Sequence, residues 1–555
     1  MSSMNRVTTE NQNESAKKHS RTIEMIAFDA YFIIMLVLKG LGFTSGIVYQ
    51  TAIAVAFLCL ACKIAIGKYN NIQKVVILAV TILAVFCWRS SGDLGTLFCI
   101  SLIVSMKNIG KEHVFRIGAV VWTASFIALT LSQLLNLGTR DFVIHSKFGL
   151  GYIIRWALGY SHPNVLQIAY TTLVFYWMYL VHPDSSKPLH KDKKTILPVL
   201  FSVVGTLYIF LYSFSTTGLL MYLIYIFTLV LLEKRRRDGA ERREAEKLLI
   251  ALIFPVCVIL STLGPVILKG QAFDVINQLM NTRPALSRYY LTTYGVSLLG
   301  RDFSSLSANI TLDCSYMYLL MHGGLLLFLI LIIAYFCMIK WTVDQKTTWK
   351  NNNEIAMLVS FSFTAISEPF AFNTSFKNVT LILLGYYLYQ VSAPYGVEKA
   401  WIPILSQIGE KEVSIPNTWA RFVQFKERIC HAAKKYRFPV AGIGTAAAVI
   451  GMAAVLIGGY SATRAIARRI SCETDLSSTS VYYTEKEIDA LRKDPEVLVL
   501  NYEDEDDPML MFDNRNMFIL EKVRGGISAA LWIGIGSSVL VCCAMILIDS
   551  AKEKN

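Results

Sequence analysis

The chain alternates long apolar runs with short polar connections. Most runs contain close to the roughly 20 residues that an α-helix needs to cross a bilayer, so the pattern predicts transmembrane helices. The fourth run is short and can be a full span or a re-entrant segment. The predicted spans are 25–44, 46–66, 75–88, 94–106, 115–135, 164–181, 196–212, 217–232, 247–267, 315–339, 354–368, 375–391, 439–460 and 526–548.

Composition supports this interpretation of the pattern. Hydrophobic residues make up 54% of the 555 residues and charged residues only 17%, whereas a soluble protein averages about 25% charged residues. The first 24 residues are polar, and no short apolar core with a cleavage site follows them, so we expect no cleavable signal. We predict an all-α polytopic membrane protein of about 14 transmembrane helices, with a small extracytoplasmic α+β module.

Lysine and arginine concentrate in alternate connections. "GKYNNIQK", "MKNIGKEH", "KPLHKDKK", "EKRRRDGAERRE" and "RFVQFKERICHAAKKYR" are all basic. The positive-inside rule assigns these connections to the cytoplasm, and both chain termini with them. The net charge of +13 is then explained by topology and by contact with anionic lipids, and it does not require a nucleic-acid partner.

The first outward connection, residues 136–163, contains candidate chemistry. Its stretch "RWALGYSHPN" places Arg155 and His162 just before the sixth span, and Arg140 lies earlier in the connection. Pro163 suits the first turn of the following helix, where its missing N–H costs nothing. Two hypotheses stay open for these residues: a functional site, or anchoring of a helix end among lipid headgroups.

The larger outward connection, residues 268–314, contains Arg283, Arg288 and Asp313. "RPALSRYYLTTYG" predicts an amphipathic helix at the membrane interface. Asp313 precedes the tenth span, where it is either functional or favours the helix N-terminus. Glu368 stands beside Pro369 at the outer end of the eleventh span, and it is either functional or extends to the interface.

Several of these stretches, taken in order, resemble a known family. "RWALGYSHPN", "YSFSTTG", "SRYYLTTYGVSLLG", "LDCSYMYLL" and "SEPFAFNTSFKN" are similar to segments of the O-antigen and capsular polysaccharide polymerases (Wzy-type), a family close to the O-antigen ligases. The resemblance covers roughly residues 25–391. No single motif is specific, and the ordered set on the outward side carries the resemblance.

The resemblance implies an integral-membrane glycosyltransferase on the outer face of a bacterial plasma membrane. Such an enzyme polymerises oligosaccharide repeat units linked to polyprenyl (undecaprenyl) diphosphate, which serve as donor and acceptor. It uses no cofactor, nucleotide sugar or metal. Its partners would include membrane lipids, a flippase and a chain-length regulator of the cell-envelope, capsule or exopolysaccharide pathway.

The candidate side chains suit this chemistry. A departing diphosphate needs cationic donors, and the planar guanidinium of arginine binds phosphate oxygens in pairs. The candidate ligands for the diphosphate or sugar are Arg155, Arg288, Arg283 and Arg140. The acceptor hydroxyl needs a base. His162 is the first candidate because its reference pKa lies near working pH, and Asp313 and Glu368 are the alternatives.

Two other functions stay open. A ligase-type transferase would move the glycan to a lipid or wall acceptor. A transporter or flippase of the same pathway would break no bond. Transporters often show inverted repeats and charged groups near the midplane. The sequence shows no such repeat, and its charged residues cluster outside rather than near the membrane midplane, which favours an outer-face enzyme.

The domain organisation follows from the spans. Residues 1–24 form a cytoplasmic tail, 25–391 the polymerase-like core, 392–438 a cytoplasmic basic linker, 439–548 a two-helix module and 549–555 a second tail. Within the module, an outer domain at 461–525 contains a predicted helix from Thr484 and two predicted strands, "EVLVLNY" and "NMFILEK". This layout is similar to that of chain-length regulators.

Overall fold

The computed structural model describes residues 19–134, 142–146, 152–280, 282–304, 312–415, 418–467, 497–500, 510–513 and 515–552. These residues are mostly helical. The chain divides into two units. The first comprises residues 1–19, 142–156 and 414–555, and the second comprises residues 20–141 and 157–413. Residues 142–156 of the first long connection therefore group with the tail. The predicted domain boundaries stay a prediction.

Every predicted span coincides with a helix. The helices of the second unit are α1 Ile23–Gly40, α2 Ile47–Ile66, α3 Asn71–Ser91, α4 Gly95–Ser105, α5 Lys111–Leu134, α6 Pro163–Tyr179, α7 Lys193–Ser213, α8 Thr216–Arg237, α9 Glu244–Thr262, α10 Gly270–Leu279, α11 Arg283–Tyr294, α12 Ser315–Asp344, α13 Trp349–Thr364, α14 Thr380–Ser392 and α15 Pro403–Gly409. Single turns at Gly264–Ile267, Leu189–Lys191 and Pro369–Ala371 join some of them.

Within the described ranges, nine helices are long and apolar enough to cross a membrane. They are consistent with an all-α polytopic membrane protein, while the exact number of spans stays a prediction. All residues of α4 except Leu97 are buried. Its 11 residues extend only about 16 Å, short of the roughly 30 Å hydrocarbon core. Apolar side chains on the outside of the helix bundle, such as Ile47 and Leu58, are exposed, as expected of helices in contact with lipid.

Local sequence explains where the helices start. α3 begins with a capping box, in which Asn70 Oδ1 accepts from the Gln73 N–H at 2.8 Å and Gln73 Oε1 accepts from the Asn70 N–H at 3.2 Å. α6 begins at Pro163 with His162 as its cap, which confirms the prediction for that turn. α11 confirms the predicted helix at Arg283–Tyr294.

The two ends of the helical second unit differ in their connections. We call one the basic end, because its connections at 67–70, 106–110, 180–192, 238–243, 345–348 and 393–413 include the predicted cytoplasmic stretches. The other is the site end, with connections at 41–46, 92–94, 157–162, 214–215, 263–314 and 365–379. At the basic end, the short strands Lys68–Tyr69 and Lys399–Ala400 pair in antiparallel fashion.

The first unit contains the tail. Its helices are α16 Thr418–Lys435, α17 Arg437–Ala467 and α18 Arg515–Lys552. α17 and α18 pack through small residues: a Cβ added to Gly444 would meet Ser538, and one added to Gly451 would meet Ile533. This close approach is what small residues permit between membrane helices.

Short strands complete this unit. Phe142–Ser146 pairs with Tyr152–Trp156, placing Val143 opposite Arg155. Val497–Leu500 pairs with Leu510–Asp513, and the strands His19–Thr22 and Glu412–Ile415 lie where the units divide.

One strand prediction in the tail was correct and one was wrong. "EVLVLNY" contains the strand Val497–Leu500. "NMFILEK", residues 516–522, lies inside α18 instead, and its partner role is taken by Leu510–Asp513. A short apolar run fits either a strand or a helix, and here it continues into the long apolar helix that follows. The helix predicted from Thr484 lies outside the described residues.

Candidate functional site

The site end of the second unit brings together an arginine and two carboxylates that are distant in sequence. The Nη2 atom of Arg283 lies 3.5 Å from Asp313 Oδ2 and 3.6 Å from Glu368 Oε1. Three of the predicted site residues therefore form one cluster, which we call the Arg283 cluster. Arg283 is the first residue of α11, Asp313 precedes α12 and Glu368 follows α13.

The backbone at Glu368 is held on both sides. Its N–H donates to Thr364 O at 3.0 Å, which continues the last turn of α13. The Ser315 hydroxyl donates to the Glu368 carbonyl and accepts from the Ala371 N–H at 3.1 Å. Pro369 then starts a tight turn. These bonds fix the direction in which the Glu368 side chain leaves the backbone.

The Glu368 carboxyl is buried, with 6% of the residue exposed. Asn164 Nδ2 donates to its Oε1 atom at 2.9 Å, and the Thr217 hydroxyl also bonds it. Burial raises the pKa of Glu368 to about 7, and Asp313 adds to this rise, while Arg283 and the two hydrogen bonds oppose it. The carboxyl therefore exchanges a proton near neutral pH.

The Arg283 guanidinium is incompletely paired. Both carboxylate contacts exceed the 2.7–3.2 Å of a normal hydrogen bond, and Nη1 reaches Met280 O at 3.4 Å. The buried Nε atom has no hydrogen-bond partner among the described residues. An arginine offers five N–H donors, so this side chain retains the capacity to bind an anion.

His162 lies at the start of α6, two residues before Asn164. Its Nδ1 atom accepts from the Asn164 N–H at 3.1 Å. In the neutral ring the proton is then on Nε2, which assigns the tautomer. The Asn164 side chain donates to Glu368. Asn164 therefore links His162 to the Arg283 cluster.

The other predicted arginines lie elsewhere. The Arg288 guanidinium donates to the carbonyls of Pro265 and Leu268 and stacks on Phe273, with Cζ 3.5 Å from the ring centroid. These contacts order the chain before α11. Arg155 is buried in the hairpin of the first unit, and Arg140 lies outside the described residues. Their roles as diphosphate ligands stay predictions.

Three residues that contact Glu368 were not predicted from the sequence to have a role in the site. Asn164 and Thr217 bond the Glu368 carboxyl, and Ser315 holds its backbone. Each belongs to a stretch quoted for the resemblance, respectively "RWALGYSHPN", "YSFSTTG" and "LDCSYMYLL". The ordered stretches therefore marked the right segments of the sequence. They did not show which side chain of each segment contacts Glu368.

Two further observations bear on the site. In the part of the chain that the structure describes, no group of three His, Cys, Asp or Glu side chains is arranged to hold a metal ion. Comparison with models of protein families, with curated proteins and with solved structures finds no match to this chain.

Proposed function

We propose that the protein is a membrane glycosyltransferase that extends a polysaccharide from polyprenyl-diphosphate-linked repeat units at the outer face of a bacterial plasma membrane. The observation that carries the proposal is the buried Glu368 carboxyl beside the incompletely paired Arg283. A base that titrates near neutral pH and a cation able to bind phosphate oxygens are the two groups that this transfer requires.

The reaction is a single displacement at the first carbon of the donor sugar. The acceptor hydroxyl oxygen forms the new bond to that carbon, and the bond from the carbon to the diphosphate oxygen breaks. The hydroxyl proton goes to the ionised Glu368 carboxylate. The bonding electron pair leaves with the diphosphate, whose developing charge Arg283 stabilises.

The neighbours of these two groups hold them in place. Asn164 and Thr217 orient the Glu368 carboxyl, and Asp313 contacts the same Nη2 atom of Arg283 as Glu368 does. His162 acts as a positioning residue, because it accepts from the backbone of Asn164. Asp313 and His162 stay the alternative bases. Arg288, Arg155 and Arg140 stay candidate ligands of the diphosphate.

The test begins with a host strain that lacks the gene. We expect it to accumulate single repeat units on the carrier lipid. Those units, labelled and supplied to the purified protein in lipid nanodiscs, should be joined into longer chains. Arg283→Gln should abolish the joining, whereas Arg301→Gln should not. Arg301 is a matched control because it lies at the same end and donates to the Tyr294 carbonyl, with no carboxylate contact among the residues that the structure describes.

The same strain separates the alternatives. Long carrier-linked chains that never reach their final acceptor would identify a ligase. Single units that stay protected from a reagent added outside the cell would identify a flippase. Either result, or full-length glycan in the deletion strain, would contradict the polymerase proposal.

A further inference from the structure

A second group of charged side chains lies at the site end. Lys39 is in the last turn of α1, and Lys377 lies in the connection between α13 and α14. Both are buried, with 5% and 4% of the residue exposed. Neither residue belongs to the Arg283 cluster.

Aromatic residues bring the two ammonium groups to one place. Lys377 Nζ faces the ring of Tyr160 at 5.9 Å, and the Tyr160 hydroxyl donates to the Gly40 carbonyl at 3.1 Å, next to Lys39. Lys39 Nζ donates to the Tyr49 hydroxyl at 2.6 Å and lies 5.4 Å from the Phe98 ring centroid. Tyr160 therefore links the two lysines, with its ring facing Lys377 and its hydroxyl bonded next to Lys39.

The two ammonium groups are short of partners. Among the described residues, no carboxylate pairs with Lys39 or Lys377, and no group accepts a hydrogen bond from Lys377 Nζ. An ammonium carries three donors, and burying an unpaired charge is costly. The carbonyls at the end of α1 favour a cation such as Lys39, but they do not account for a second buried cation beside it.

The surroundings indicate a lipid. α2 starts next to Lys39, and its first residues Ile47 and Val48 are 75% and 62% exposed, as side chains that face acyl chains would be. An anion bound between Lys39 and Lys377 would thus have an apolar surface beside it. The ligand with both properties is the phosphorylated headgroup of a membrane-embedded lipid.

The backbone of Lys377 lies apart from the contact between Asn164 and Glu368. Asn164 of α6 contacts Glu368, whereas Thr172, eight residues further along α6, contacts the Lys377 carbonyl at 3.5 Å. Eight helical residues correspond to about 12 Å. A polymerase handles two carrier lipids at once, one as donor and one as acceptor, so it needs two cationic sites.

We propose that Lys39 and Lys377 form a second anion site, which binds the diphosphate headgroup of a carrier lipid next to the Arg283 cluster. The assignment to a carrier rests on the proposed function, whereas binding of a phosphorylated lipid does not require any transfer. A binding measurement therefore tests this site independently of the proposed transfer reaction.

The test titrates the purified full-length protein with undecaprenyl diphosphate, inorganic pyrophosphate or undecaprenol, and measures affinity by native mass spectrometry. Lys39→Gln and Lys377→Gln should each lower the affinity for undecaprenyl diphosphate by about tenfold or more. Lys377→Arg should keep most of that affinity. Lys269→Gln, which changes an exposed lysine at the same end, should have no effect.

Two results would overturn the site. Lipid affinity that does not change in either glutamine variant would remove it. Variants that lower only the affinity for inorganic pyrophosphate would show that the site does not bind a lipid.

Melting temperature gives an independent readout. Lys377→Met should raise the melting temperature, because an unpaired buried charge is lost. Undecaprenyl diphosphate should stabilise this variant less than it stabilises the wild type. A variant that does not fold would show that Lys377 is structural. If the wild-type protein binds the lipid diphosphate through these lysines but joins no repeat units, the proposed function is overturned and this site remains.

Discussion

The two ends of the helical second unit treat buried charge differently. At the basic end, Glu233 accepts from Arg237 Nε at 2.9 Å, from Arg236 and from Asn352 at 3.2 Å. Asp192 accepts from the same Arg237 at 2.8 Å. Every charge in this group is matched by an opposite charge at hydrogen-bond distance. At the site end, Arg283 meets its carboxylates only at 3.5 and 3.6 Å.

The difference extends to proton affinity. Although burial alone raises the pKa of Asp192, its hydrogen bonds from Thr195, Arg237 and two backbone N–H groups lower it to about 2. Burial raises the pKa of Glu368 to about 7, because the donors around it compensate only in part. Complete pairing stabilises a fold, whereas incomplete pairing leaves groups available for a ligand or a proton. The comparison therefore separates a fully paired network from one that keeps capacity for a ligand or a proton.

The largest expected effect comes from Glu368→Gln. The amide keeps the size of the side chain but cannot accept a proton, so the transfer rate should fall by roughly 10²–10⁴-fold. Gln resembles the protonated form that burial favours, so the melting temperature should stay the same or rise. Transfer in nanodiscs and thermal unfolding measure the two effects. Asp302→Asn, an exposed carboxylate at the same end, is the control. Full activity in Glu368→Gln would transfer the role of base to Asp313 or His162.

Glu233→Ala should give the next largest effect, and of the opposite kind. It leaves Arg236 without its carboxylate and Arg237 with Asp192 alone, and breaking a buried ion pair in this way typically costs about 3–5 kcal/mol. We expect a lower melting temperature and less protein in the membrane, with a normal rate for each folded molecule. A reduced rate with unchanged melting temperature would contradict the structural interpretation of the basic end.

The pH dependence of transfer gives a third test. A base must be ionised to accept a proton, so the rate should rise as pH increases through about 7 and level off above it. Between pH 6 and pH 7 we expect a change of about fivefold, since a carboxyl with a pKa of about 7 is roughly one-tenth ionised at pH 6 and half ionised at pH 7. Glu368→Gln should remove this limb from the residual rate. A profile that is flat between pH 5 and pH 8 would speak against Glu368.

The smallest effect is expected for an exposed pair at the basic end. Lys68 and Glu410 form a salt bridge, with 43% and 61% of their side chains exposed. Water screens such pairs, so Lys68→Ala should cost less than about 1 kcal/mol. Thermal unfolding in detergent would measure it. A loss as large as that of Glu233→Ala would show that burial is not what distinguishes the networks.

Local prediction worked where a single segment encodes the answer. Pro163 and His162 marked the start of α6, and "RPALSRYYLTTYG" marked α11. It failed at "NMFILEK", where a short apolar run could not reveal that it continues into α18. Arg288 illustrates another limit: a guanidinium in an outward connection suits phosphate, yet only the fold shows that carbonyls of Pro265 and Leu268 occupy it.

The sequence by itself determined the class of the protein and the position of its helices, because hydrocarbon requires long apolar segments with internally satisfied backbones. It also named Arg283, Asp313 and Glu368 among several candidates. Only the tertiary structure selected these three, because the contact between Glu368 and Asn164 joins residues 204 positions apart. No periodicity or spacing encodes such a meeting. It arises from the packing of helices, which likewise brings Lys377 to the end of α1, beside Lys39.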